Sequence, residues 1–177
     1  QPRAEAEARD GESAGGEEGS SADSAAASAA APAPKVRPSP LAGGWYPAAR
    51  AELHEDVWDH VHGAEAYHGP RPVALVSPHA GYRYSGAVAG QAYATLAMER
   101  YDRIFVLGPA HRVALQGLGI GEWTHYETPL GRVPIDQEAV ERLCAHPRIA
   151  IVPGVDDEEH SVEMQVPMLQ VAAMGSR

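Results

Sequence analysis

The chain has 177 residues, room for one domain of ordinary size, and its acidic residues outnumber its basic ones 24 to 14 for a formal charge of −10. A protein that tracks nucleic-acid phosphates needs a basic face, so that class is disfavoured. A lone cysteine rules out an internal disulfide and any CxxC metal or redox motif, and no apolar run approaches the roughly 20 residues of a membrane helix.

Residues 1–40 hold 12 Ala, 6 Ser, 5 Pro and 4 Gly, and all eleven aromatics lie after them. So little apolar surface cannot offset the entropy of ordering a chain, which predicts a disordered tail over 1–40 with a stiff Pro-rich end. The domain is expected over 41–177. Leu53, Val57 and Val61 recur every four residues and predict an amphipathic helix over 47–62. Residues 72–77 (PVALVS) and 103–107 (RIFVL) read as buried strands, each closed by a proline within two residues. Between them, 85–98 is small and helix-compatible, with Ser85 as its N-cap. Residues 117–120 and 131–135 are expected to pair around a polar turn. Asp136 should cap a helix over 137–145, 148–152 should be a strand, and a final helix is expected over 160–174 despite Pro167. Strand and helix alternate, which predicts an α/β fold with a mainly parallel sheet flanked by helices.

Open α/β sheets gather ligands beyond the carboxyl ends of their strands. Two of the nine histidines follow such ends: His79, in Ser77-Pro-His-Ala-Gly-Tyr82, and His111, in Gly108-Pro-Ala-His111. If the strands are neighbours, the two imidazoles converge and can hold Fe(II), Cu or Zn, given a further ligand. The alternative is a pair of ordinary loop histidines. In Asp156-Asp-Glu-Glu-His-Ser-Val-Glu163, His160 and Glu163 are three apart and would share a helix face, as an acid/base pair or metal ligands, or merely as part of a capped helix start. His54, His60, His62 and His68 read as surface groups and Cys144 as a packing residue.

Six segments, taken together, resemble the Memo family, whose bacterial and archaeal members are called AmmeMemoRadiSam system protein B. They are Gly43-Gly-Trp-Tyr-Pro47, Ser77-Pro-His-Ala-Gly-Tyr82 with Tyr84-Ser-Gly86, Leu107-Gly-Pro-Ala-His111, Thr128-Pro-Leu-Gly131, Ile135-Asp136 and Glu159-His-Ser-Val-Glu-Met164. The resemblance implies a fold related to class III (LigB-type) non-haem iron extradiol dioxygenases. It implies that His79 and His111 bind a metal, iron or copper, and that His160 and Glu163 lie near the same pocket, either supporting the metal ligands or handling protons. It also implies a radical-SAM protein and an Amme-domain protein as partners. Family members continue well past the position of Arg177 and carry a third ligand there, so this chain is expected to be the N-terminal part of such a domain, with a truncated sheet. The expected function is metal-dependent and oxidoreductase-like; the alternative is a binding or scaffold protein with a vestigial pocket, or an inactive fragment. No membrane partner is expected, and the absence of disulfides favours the cytoplasm.

Overall fold

The computed structural model describes residues 32–96 and 101–173. Most of the predicted tail, residues 1–31, lies outside the described residues. Its end does not behave as a tail: the chain from Ala33 onward belongs to the folded unit, and Val36–Arg37 form strand β1.

The order that follows is α1 (Arg50–His62), α2 (Tyr82–Ala94), β2 (Leu118–Ile120), β3 (His125–Thr128), β4 (Gly131–Pro134), α3 (Gln137–Cys144), β5 (Ile149–Ile151) and α4 (Val166–Ala172). The expected stripe of α1 holds, with Leu53, Val57 and Val61 all buried. Helix α2 starts at Tyr82, three residues before the predicted cap. Gly81 precedes it without a side-chain cap, and the Ser85 hydroxyl donates to the Ala80 carbonyl instead. Gly86 and Gly90 let α2 lie directly against His60 of α1, where an added Cβ would meet the ring and the carbonyl of His60 at 2.3 and 2.1 Å. His60, expected at the surface, is therefore half-buried. Asp136 caps α3 as predicted, accepting from the Ala139 amide at 2.9 Å.

The fold is α/β with small sheets. Strands run in the order β1-β3-β4, β1 parallel and β4 antiparallel to β3, and separately β2 pairs in parallel with β5. The expected pairing of 117–120 with 131–135 is replaced: β4 returns on β3 through the two-residue turn Pro129-Leu130, and Gly131, paired with Thr128 at the start of β4, takes a positive φ (127°). Neither 72–77 nor 103–107 forms a strand. Both are irregular, with a bend at Val73, and join no ladder among the described residues; Val73, Val76, Phe105 and Leu107 are exposed. Leu75 and Val106 pack against the core from these segments. Their apolar character was legible; burial also needs a covering layer, which the described residues do not supply.

The predicted final helix begins later. A 3₁₀ turn (Glu163–Gln165) leads into α4, and Pro167 sits in its first turn, where a missing N–H costs nothing. Helix α4 is buried along its whole length between α1 and α2. Its Met168 and Leu169 join Tyr46, Leu53, Val57, Tyr82, Tyr93 and Met164 in the core. No described helix is long and apolar enough to cross a membrane.

Candidate metal centre

Three loops meet at one point. His79 stands between segment 72–77 and α2, His111 follows 103–107, and His160 precedes the 3₁₀ turn. One ring nitrogen from each lies within 4.8 Å of the others. Ring centroids are 5.4 Å apart for His79–His111 and His79–His160, and 4.3 Å for His111–His160, which stack at 17°. Two nitrogens bound at ~2.1 Å to one ion can stand at most ~4.2 Å apart, so the rings would have to turn slightly inward for all three to reach a single ion. The cluster joins the two expected metal ligands, His79 and His111, with His160, which the sequence had offered as an acid/base group.

Each loop is tied down from the 159–165 region. The Gln165 side-chain amide donates to the Pro78 carbonyl at 3.2 Å, next to His79, and the buried Tyr82 hydroxyl donates to the Met164 carbonyl at 2.8 Å. The Ser161 hydroxyl donates to the Pro109 carbonyl at 2.9 Å, two residues before His111. Gly108 is needed at that crossing, because a Cβ there would stand 2.3 Å from the Ser161 hydroxyl. Trp45, from the Gly-Gly-Trp-Tyr segment, covers His160 with ring centroids 4.8 Å apart.

Glu159 is the residue that sequence reasoning passed over. It is buried, at 4 % exposure, and its carboxylate accepts from the His111 amide (2.6 Å), the His111 Nδ1 (2.9 Å), the His160 amide (2.8 Å) and the Ser161 amide (2.8 Å). Burial opposes its charge, but the hydrogen bonds from the His111 side chain and the Ser161 and His111 amides outweigh it and hold the carboxyl down to about 2. His160 moves below the ordinary histidine range. Burial is the main cause, and the neighbouring His111 and His79 add to it against the pull of Glu159. A neutral imidazole is the form a metal takes.

Glu163 is placed elsewhere. The regular helix starts only at Val166, and the Glu163 carboxylate is not among the clustered groups. Its carboxylate is 1 % exposed and accepts from Arg37 Nη1 (2.6 Å), the Tyr46 hydroxyl (2.6 Å) and the Leu41 amide (3.2 Å). Arg37 is fully buried. It donates in addition to the carbonyls of Asp156 (2.7 Å) and Glu159 (2.8 Å), and its guanidinium lies 5.0 Å from the Tyr126 ring centroid. Asp156 in turn accepts from Tyr126 (2.5 Å) and Trp123 (3.1 Å). A residue assigned to the tail therefore clamps the loop that bears Glu159 and His160. No buried side-chain nitrogen or oxygen among the described residues lacks a partner, as a loop of this polarity requires.

The model of the family described as Memo-like protein matches residues 37–176. The chain belongs to the Memo family. It is 38 % identical over 146 residues to a Caenorhabditis elegans protein named "Protein memo-1 homolog", covering 80 % of this chain and 40 % of that one. It is also 38 % identical over 147 residues to a "MEMO1 family protein" of Thermotoga neapolitana (76 % and 53 %), and 35 % over 129 residues to "Protein MEMO1" of Danio rerio (71 % and 42 %). The chain thus spans about half the length of these Memo-family relatives. The match begins at Arg37, the buried clamp, and it includes all three clustered histidines.

Proposed function

We propose that this Memo-family chain holds a transition-metal ion, iron(II) or copper, through His79, His111 and His160, and that the protein is a metal-dependent oxidoreductase of the extradiol-dioxygenase type. The observation that carries the reading is the convergence of three imidazoles from three separate loops, with a buried carboxylate behind one of them. Such histidine–carboxylate backing is the usual support of a ligating imidazole. Bound there, the ion would supply Lewis acidity and a second accessible oxidation state. His79, His111 and His160 would hold it, Glu159 would orient His111, and Trp45 would shield the His160 side from water. Glu163, committed to Arg37 and Tyr46, is given no part in the chemistry. A radical-SAM protein and an Amme-domain protein are the proposed partners and a reducing cytoplasm the proposed compartment, in keeping with the single free Cys144.

Anaerobic titration of the chain with Fe(II) and Cu(I) tests the reading. One ion per chain is expected, with affinity at least tenfold weaker in His79→Ala and in His111→Ala. Binding that is absent, or unchanged when all three histidines are replaced, overturns it. Oxygen uptake with catechols no faster than that of free Fe(II) would remove the dioxygenase part.

A further inference from the structure

The Glu159 carboxylate makes four hydrogen bonds, and three of them come from backbone amides, which can only donate. The fourth, to His111 Nδ1, falls on Oε1, the same oxygen that takes the His160 and Ser161 amides. An oxygen receiving two amide protons has no proton of its own to give, so in the remaining contact His111 Nδ1 must be the donor. We infer that Glu159 is the positioning residue of this centre: by accepting from both the backbone amide and Nδ1–H of His111, it fixes that ring as the Nδ1–H tautomer and leaves Nε2 as the nitrogen that carries the free lone pair.

The inference rests on the metal reading for its purpose but not for its geometry. One carboxylate grips His111 at main chain and side chain together, so the ring loses its freedom both to rotate and to exchange tautomers. The same oxygen fixes the amide of His160, coupling two of the three histidines to a single group. The backbone that carries Glu159 is held from behind by Arg37, which donates to the Glu159 carbonyl at 2.8 Å, and the Ser161 hydroxyl closes on the Pro109 carbonyl on the His111 side. A glutamate with a merely structural task could accept the three amides alone. The contact with Nδ1, 2.9 Å away on a ring that is otherwise partly open to solvent, has its consequence at the opposite nitrogen.

The test is long-range ¹H–¹⁵N correlation on the 177-residue chain carrying ¹⁵N-histidine, without metal and at alkaline pH where the imidazoles are neutral, with His111→Gln assigning the resonance. The wild-type ring is expected to show a protonated Nδ1 and a bare Nε2, and Glu159→Ala to shift it toward the Nε2–H form that free histidine prefers. Co(II) is the metal probe. Glu159→Ala and the isosteric Glu159→Gln, which turns an amide group toward the His111 N–H, are each expected to weaken its binding about 10–100-fold while far-ultraviolet circular dichroism stays unchanged. A wild-type His111 protonated on Nε2, or a tautomer indifferent to Glu159→Ala, overturns the inference whether or not metal binds. Failure of the wild-type chain to bind Co(II) counts instead against the metal reading, and the wild-type tautomer still decides the role of Glu159.

Discussion

Residues 156–161 and the irregular segments 72–77 and 103–107 all lead to the same three histidines, but they are held in different ways. The first is polar and closed. Arg37 donates to its carbonyls, Tyr126 and Trp123 donate to Asp156, and Glu159 collects four N–H groups, so that the loop is fixed by hydrogen bonds that burial makes hard to break. The other two are apolar and open, with one side chain each, Leu75 and Val106, against the core and their neighbours facing solvent. His160 thus stands on a rigid wall. His79 and His111 reach it from segments whose hydrogen-bonded anchors to the 159–165 region lie near their ends, by Gln165 at Pro78 and by Ser161 and Glu159 at Pro109 and His111. The lesson is that this centre is organised from its polar side: the wall recruits the two outer histidines, and their own segments contribute little to fixing them.

The sharpest way to break that comparison is to remove the clamp. Arg37→Met leaves Glu163 buried without its counter-charge and frees the carbonyls of Asp156, Asp157 and Glu159. We expect a loss of about 3–5 kcal/mol in urea unfolding, partly recovered by adding Glu163→Gln. A loss below about 1 kcal/mol would mean that the loop keeps its shape without Arg37.

Glu159→Gln probes the wall closer to the metal. At neutral pH it should cost about 1.5–3 kcal/mol, the worth of hydrogen bonds to a charged group. The folded carboxyl sits at about 2, against an ordinary 4.5. Its stabilisation is therefore complete above about 4.5 and is lost as the pH falls through about 2. The stability gap between wild type and Glu159→Gln should close over that window; a gap independent of pH would show that the charge is not what the loop uses. The open segments should respond least. Val73→Ser and Leu107→Ser are expected to change stability by no more than about 0.5 kcal/mol, and a cost of several times that would show these faces to be covered in solution.

The sequence revealed the parts whose signal is local. The stripe of α1, the Asp136 cap and the two histidines after strand-like runs could all be read from neighbours a few residues apart. What it hid depends on contacts across the chain. Arg37 lies in a Pro-rich stretch with nothing near it to suggest burial, and its partner Glu163 is 126 positions away. Glu159 went unnoticed because helical spacing pointed to His160 and Glu163, whereas Pro167 delays the helix and leaves 159–162 free to turn its amides onto one carboxylate. Residues 72–77 and 103–107 read as buried because they are apolar, yet a strand is buried only where a neighbouring layer exists to cover it.

The most direct measurement is X-ray absorption at the metal edge of the chain loaded with one equivalent of Co(II) or Fe(II). The account predicts an ion surrounded by imidazole nitrogens, with three histidine rings contributing to the scattering and one lost in each of His79→Ala, His111→Ala and His160→Ala. An ion with no imidazole scattering, or a spectrum that the three substitutions leave unchanged, would contradict it.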